Sequence, residues 1–365
     1  MTLFLYFARR FLKTFAIVFG IFAGIVMMID LVEQFSKINS ETAGFAKVVQ
    51  LSLLHLPSQM YPIFPLIIML ATLALFLGLA RSSELVVTRA AGWSGMKALA
   101  APVAVAFGLG VLAVTVLNPI VAATSKQYET TINRYTSGKE SVLSISQEGL
   151  WLRQGSPEGQ TVIRASGSNL DGTKLVDVTF LNFTANGTPL SRIGAESAEL
   201  IPGAWLVVNA KKWPLLSSAN PERDARHFDV LKVPSDLTRE EIRDSFGTPS
   251  SIAIWDLPAF ISRLERAGFS ARQHRVWFQT ELALPLLLVA MVLVGAGFTM
   301  RHTRFGGTGP MILGALLMGF SLFFIRNFAQ VLGENGQLPV YLAAWSPPIA
   351  ATLLALALIL HMEDG

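Results

Sequence analysis

From Val48 to Ala80 the chain carries no Asp, Glu, Lys or Arg, and from Ala98 to Ser125 it again carries none. An uncharged apolar run of about 18 residues or more reads as a membrane-spanning helix. The first run would extend about 50 Å as one helix, against a hydrocarbon core of about 30 Å. It therefore either projects from the bilayer or is bent or broken by Pro57, Pro62 and Pro65. Its membrane part is expected near Ile63 to Ala80. The whole chain has 365 residues, 52% apolar and only 15% charged. A soluble domain of this size would hold roughly a quarter charged residues. The class is an integral membrane protein.

Four further spans follow from the same pattern. Arg9, Arg10 and Lys13 precede the run Thr14 to Met28, which has no cleavage-type small-x-small site before Asp30, so it is read as span 1 and not as an export signal. Span 3 is about Ala98 to Ala122. Spans 4 to 6 are Leu282 to Met300, Phe305 to about Leu332, and Val340 to Leu360.

Most charges fall between Lys126 and Arg275, so a polar domain interrupts the spans three and three. From about Ser144 to Val233 the period becomes two, as in Leu175 to Phe183, which alternates Val, Thr and Phe. Asn186-Gly187 and Pro202-Gly203 are turn signals. About ninety residues in some eight strands, an all-β sandwich or barrel fragment, are expected. The indoles of Trp151, Trp205 and Trp213 are expected in its core. Asp256 then caps an amphipathic helix with Leu257, Phe260, Ile261 and Leu264 on one face and Gly268 at its end.

Lys and Arg in the short loops set the orientation. The N-terminus has Arg9, Arg10 and Lys13; the loop after span 2 has Arg81, Arg89 and Lys97; the loop after span 4 has Arg301 and Arg304. The opposing loop, Gly333 to Pro339, has Glu334 and no base. Both termini are thus expected in the cytoplasm and the β domain outside, which in a double-membrane bacterium is the periplasm.

Chemistry on this chain has little support. No cysteine is present, which excludes disulfides, thiolate metal sites and cysteine nucleophiles. His55, His227, His274, His302 and His361 form no metal-type pair, and no G-x-S-x-G elbow occurs. Gly138-Lys139 lacks the upstream glycine and following hydroxyl of a phosphate loop. Nucleotide energy, if used, must come from another chain.

Two groups of residues stand out. Ser83 to Gly92, flanked by Arg81 and Trp93, is a short charged helix wedged between two spans. Ser82 or Ser83 could cap it, Glu84 sits in its first turn, and Gly92 would stop it. It reads either as a capped surface helix or as a helix entering a groove on a cytoplasmic partner. In the second case Glu84 faces a partner base while Leu85, Val86 and Trp93 fill apolar space. The other group is the charge placed in or beside the membrane, which is costly. Asp30 ends span 1, with Glu33 and Lys37 one and two turns on, and Arg326 lies in span 5. They read either as an Asp30–Arg326 pair, or as a pocket where Lys37 and Arg326 meet an anionic lipid headgroup and Asp30 orients a cation.

The segment Arg81-Ser82-Ser83-Glu84-Leu85-Val86-Val87-Thr88-Arg89-Ala90-Ala91-Gly92-Trp93-Ser94 resembles the signature of the LptF/LptG (YjgP/YjgQ) permease family of the lipopolysaccharide exporter. Its Glu-Leu-Val-Val form is similar to the LptG branch. Gln147-Glu148-Gly149-Leu150-Trp151 and Asp30 to Gln34 match two further family tracts in order along the chain. The resemblance implies a six-helix membrane α-helical fold with an inserted all-β periplasmic β-jellyroll. It divides the chain into spans 1–3 over 1–125 with a coupling helix at 82–92, the jellyroll at 140–250, a linker helix at 252–269 and spans 4–6 over 272–362.

It also implies an inner-membrane half-permease of an ABC transporter that extracts lipopolysaccharide from the outer leaflet. Its partners would be an LptF-like half-permease, an LptB-like ATPase dimer and LptC/LptA-like periplasmic proteins, with no nucleic acid. ATP and Mg would sit on the ATPase and no cofactor on this chain. Carried over, Ser83, Glu84, Leu85, Val86, Arg89, Gly92 and Trp93 would contact the ATPase, and Lys37 would lie near lipid phosphates. Lysines of the family's basic cluster align with Asp30 and Ser36 here, so that cluster is thinner on this chain. The rival expectation is a membrane anchor whose β domain docks a periplasmic partner without transport.

Overall fold

A computed structural model describes residues 2–37, 44–90, 92–136, 143–146, 149–156, 159–169, 173–184, 186–235, 237–238, 242, 248–266, 270–300 and 308–363. The chain forms two compact units. One comprises Met1–Ser137, Ser250–Trp255 and Arg272–Gly365; the other Gly138–Pro249 and Asp256–Ala271.

The first unit is helical. In chain order it holds α1 (Thr2–Lys37), α2 (Phe45–Arg81), α3 (Glu84–Ala90), α4 (Gly95–Leu112), a π-helical turn (Ala113–Leu117) and α5 (Asn118–Thr136). After the second unit come α7 (Arg272–Leu282), α8 (Leu284–Thr299), α9 (Thr308–Glu334) and α10 (Val340–Glu363), α6 belonging to the other unit. Among the described residues, five helices are long and apolar enough to cross a membrane. The pair α7 and α8, bent by 50°, makes a sixth if taken as one span. Span 4 thus differs from the expectation: the helical path starts at Arg272, ten residues before the apolar run. Its polar side chains hid it, and the first of them has partners that account for it. Arg272 donates from Nε to the Gly333 carbonyl at 2.6 Å and from Nη2 to that of Leu338 at 2.5 Å.

Helix α2 runs unbroken through Pro57, Pro62 and Pro65. Within a packed bundle the few backbone bonds that proline removes are tolerated, because neighbouring helices hold the axis. Together α2 and α8 form the centre. The apolar stretch of α2 is 67% buried, against 11% for α1. Small residues permit the closest crossing. A Cβ built on Gly110 would lie 2.5 Å from the Pro285 Cα, so α4 and α8 touch backbone to backbone.

Among the described residues the second unit holds one antiparallel sheet of seven strands in sequential order. The strands are β1 (Leu143–Ser146), β2 (Gly149–Ser156), β3 (Gly159–Ser168), β4 (Lys174–Thr184), β5 (Pro189–Ile201), β6 (Ala204–Pro214) and β7 (Arg226–Pro234). Gly187 and Gly203 both take φ of +79°, as their turns require. Asp177 and Asn209 interrupt the ladder pairing with φ of +50°. The sheet curls strongly, because Gln154 on β2 reaches past four intervening strands. Its Nε2 donates to the Pro234 carbonyl at 3.0 Å, and its Oε1 accepts from Trp205 Nε1 at 3.2 Å and Ser235 Oγ at 2.7 Å. Inside the curl lie Leu152, Ile163, Val178, Phe180, Ile193, Trp205 and Val207. Helix α6 (Leu257–Arg266) adds Leu264 to that core, with Phe260 and Ile261 packed against it. Of the three indoles expected inside, Trp205 is fully buried. Trp151 and Trp213 are half-buried, the latter under Arg192 with its N–H donated to Glu222.

Candidate functional site: the short helix and the polar clamps of the bundle

Helix α3 spans Glu84–Ala90, shorter than the 82–92 expected, because the residues on either side turn the backbone away. Ser83 has φ of +59° and Gly92 φ of +82°. Trp93 N–H bonds the Thr88 carbonyl at 3.1 Å, the long closing bond of a glycine-terminated helix. At the start, the Ser83 carbonyl receives Val86 N–H at 3.1 Å. The Ser82 hydroxyl does not cap α3; it lies 3.1 Å from the Gly78 carbonyl and 2.7 Å from Glu84 Oε1. Val86 and Val87 are bare, at 59% and 67% exposure. Trp93 is half-buried. The Leu85 and Arg89 side chains lie outside the described residues.

Glu84 has its own partners. Tyr6 on α1 donates to its Oε2 at 2.6 Å, and Arg10, one turn further along α1, donates to the same oxygen and to the Tyr6 hydroxyl. The Arg10 guanidinium, with Tyr6 and Ser82 adding donors, holds the Glu84 carboxyl down at about 2. Nothing in the spacing of the sequence signalled this clamp between α1 and α3.

A second clamp closes the far end of α1. Asp30, buried, lies with Oδ1 2.6 Å from His55 Nδ1 on α2. His55 stacks on Tyr128 of α5, with centroids 4.3 Å apart and planes within 9°. Gln34, fully buried, donates to the Tyr128 hydroxyl at 2.7 Å. Gln59 Nε2 sits 3.2 Å from His55 Nε2, so a hydrogen on Nδ1 facing Asp30 satisfies both ring nitrogens. Asp30 thus takes His55, not Arg326. His55 lies 25 residues from Asp30 and has no metal-type spacing, so the sequence carries no sign of this pairing. Glu33 is exposed on α1, and the Lys37 side chain lies outside the described residues.

The third cluster is in the middle of the bundle. Glu281, fully buried, accepts from the Tyr61 hydroxyl and from Asn118 Nδ2 at 3.3 Å. Half-buried Arg326 on α9 brings the positive charge that acts on Glu281. Asn118 follows the π-helical turn, and its Oδ1 accepts the Ile254 N–H at 2.9 Å. Trp255 Nε1 donates to Thr115 O inside that turn at 3.3 Å. The two charges singled out together, Asp30 and Arg326, therefore belong to different clusters. An acid at the foot of an apolar run was the available sign for Glu281.

In the β unit, a cavity of about 450 Å³ is lined by Thr161, Asn182, Ser191, Ile193, Lys212 and Lys232 among others. A ladder of side-chain bonds, Thr161 to Asn182 at 2.7 Å and Asn182 to Ser191 at 2.9 Å, crosses its wall.

Long apolar helices carrying buried polar clamps, with a curled antiparallel sheet inserted between them, define a polytopic membrane protein with one folded extramembrane domain. A family model described as lipopolysaccharide export system permease LptF/LptG matches residues 5–361, and the chain belongs to that family. The lipopolysaccharide export system permease protein LptG of Haemophilus influenzae is 24% identical over 357 residues, covering 93% of each chain. The LptG protein of Escherichia coli K12 is 23% identical over 335 residues, 91% of this chain and 87% of that one.

Proposed function

We propose that this chain is one half-permease of an ATP-driven lipopolysaccharide exporter in the bacterial inner membrane, of the LptG kind. The observation that carries the reading is the family match from residue 5 to residue 361. It is supported by α3, a charged helix between two apolar ones that presents Val86 and Val87 bare. Exposed apolar side chains grouped on a charged helix favour a protein contact.

In this reading both termini and α3 face the cytoplasm, as the Lys and Arg of the short loops direct, and the β domain is periplasmic. ATP and Mg belong to an LptB-like ATPase dimer, since no phosphate loop occurs in the sequence. Glu84 meets a base on that ATPase, with Val86 and Trp93 in apolar contact beside it. Lipopolysaccharide enters from the outer leaflet between α1, α9 and an LptF-like partner. Its acyl chains lie against Phe, Leu and Ile side chains and its phosphates near Lys37. The curled sheet is taken as the jellyroll that receives the lipid. An open edge strand passes it on by pairing with an LptC- or LptA-like strand.

Co-purification of the complex from a strain expressing all subunits tests this, combined with ATP hydrolysis measured with and without lipopolysaccharide. The ATPase should co-purify and be stimulated by the lipid, and Glu84→Ala should weaken both. A chain that captures periplasmic partners but no ATPase is a membrane anchor, and the transport reading fails.

A further inference from the structure

Helix α1 is held unlike its neighbours. Its first turns are packed, with Phe7 and Phe11 fully buried and Phe15 close behind. Its middle turns one face outward, with Ile17, Ile21, Ile25 and Met28 exposed, and lays only apolar side chains such as Phe19, Phe22 and Val26 against the core. At its far end Asp30 and Gln34 are buried again. The two polar attachments lie at those two ends. One is Glu84 of α3 held by Tyr6 and Arg10; the other is Asp30 and Gln34 held by His55 and Tyr128. From Arg10 to Asp30 the helix rises about 30 Å, the thickness of a bilayer core. No proline interrupts it.

We infer that Tyr6 and Arg10 are positioning residues that fasten α1 to α3, so that α1 transmits movement of the short helix across the membrane to the Asp30–His55 clamp. This rests on the proposed function only in taking α3 as the element an ATPase moves. The physical basis is that an unbroken helix is stiff along its axis. Its middle meets the core through apolar contacts, which let a helix slide more readily than hydrogen bonds do, so a displacement at one end is passed to the other. A charge-assisted bond to a carboxylate that also has a tyrosine donor is the strongest tie available in such a short contact. Among the described residues Glu84 Oε1 receives Ser82 Oγ at 2.7 Å, and a carboxylate oxygen has room for a second donor, so a partner base can join it while Oε2 keeps α1. One carboxylate can therefore join the partner to α1 directly.

The experiment uses the complete complex in vesicles. This chain has no native cysteine, so cysteines placed at Ile29 and Leu53 are its sole labelling sites, the other subunits being used without reactive cysteine; both side chains are more than half exposed and flank the Asp30–His55 clamp. A non-hydrolysable ATP analogue should shift the distance between the labels. Tyr6→Phe with Arg10→Gln should abolish that shift and lower the lipid released per ATP about tenfold, within the usual range of coupling between linked sites. The ATPase should still co-purify, and Arg10→Lys should restore part of the shift. An unchanged shift in the double variant overturns the inference, as does a wild-type complex whose labels do not move. So does loss of the ATPase from the double variant, since Tyr6 and Arg10 would then be assembly residues. Failure of the functional reading looks different: the unaltered chain would bring down no ATPase.

Discussion

The side chain of Asn118 holds the backbone N–H of Ile254 at 2.9 Å, and the nitrogen of the same carboxamide lies 3.3 Å from Glu281. One residue after a π-helical turn thus ties the segment 250–255, which leads back from the β domain's stretch of chain, to the most buried acid of the bundle. Asn118→Ala should leave the Ile254 amide without its acceptor and take one donor from Glu281, which keeps Tyr61. A loss of about 1–3 kcal/mol is expected for each buried group left unpaired, read by thermal unfolding of the detergent-solubilised complex. Asn118→Leu should be no better, since shape alone does not replace the bonds.

Arg326 and Glu281 should behave as a pair. Arg326→Ala should lower stability, because the buried Glu281 loses the positive charge near it and keeps only Tyr61 and Asn118 as donors. Adding Glu281→Gln should recover most of that loss. Lipid-stimulated ATP hydrolysis by the recovered double variant then separates structure from recognition. Full stimulation means Arg326 serves the bundle, and lost stimulation at recovered stability means it also meets lipid phosphate.

The Glu84–Arg10 tie should persist through any physiological acidification. The folded carboxyl sits at about 2, below its ordinary 4.5. A depressed acid contributes stability that is fully present above 4.5 and is lost as pH falls towards 2. Both side chains are about one-third exposed, so the pair is worth at most about 1 kcal/mol. Tyr6 and Glu84 should stay within contact by cross-linking down to pH 5, and Glu84→Gln should flatten the acid limb of the unfolding midpoint.

At Ser83 and Gly92 the left-handed backbone sets opposite expectations. Ser83→Gly should stabilise by a few tenths to about 1 kcal/mol, because the strained φ is relieved. Gly92→Ala should cost about 1 kcal/mol and fray the end of α3, although no atom obstructs the added methyl. Exchange of the α3 backbone amides reports both.

Gly110→Ala meets backbone instead of open space. The new Cβ falls 2.5 Å from the Pro285 Cα, so α4 and α8 must move apart. A cost of about 1–3 kcal/mol and poorer yield of folded complex are expected. Gly108→Ala, with nothing nearby, is the control.

The apolar runs of α1, α2, α9 and α10 were legible because charge-free stretches of bilayer length have few other uses. The strands were legible from Leu175–Phe183 and from the glycines at 187 and 203. The start of α7 was not, since Arg272, His274 and Glu281 look like loop residues until their partners are known. The π-helical turn was hidden because Ala113–Leu117 has the composition of the helix around it. At the candidate site, Glu84 was conspicuous by standing alone among valines. Its tie to Arg10 was not, because that contact joins residues 74 apart in the chain. Asp30 was visible as an acid beside a membrane, while the sequence carried no sign that His55 pairs with it.

The π-helical turn also fixes an azimuth. Each residue added to or removed from a helix rotates everything beyond it by about 100°. Tyr128 comes after Ala113–Leu117 on the same helical path, and its ring stacks on His55 while its hydroxyl serves Gln34. Deleting one residue from the turn would leave α5 helical yet swing Tyr128 off that face. The phase set at 113–117 therefore decides whether the far end of α1 keeps Tyr128 beside its Asp30–His55 pair.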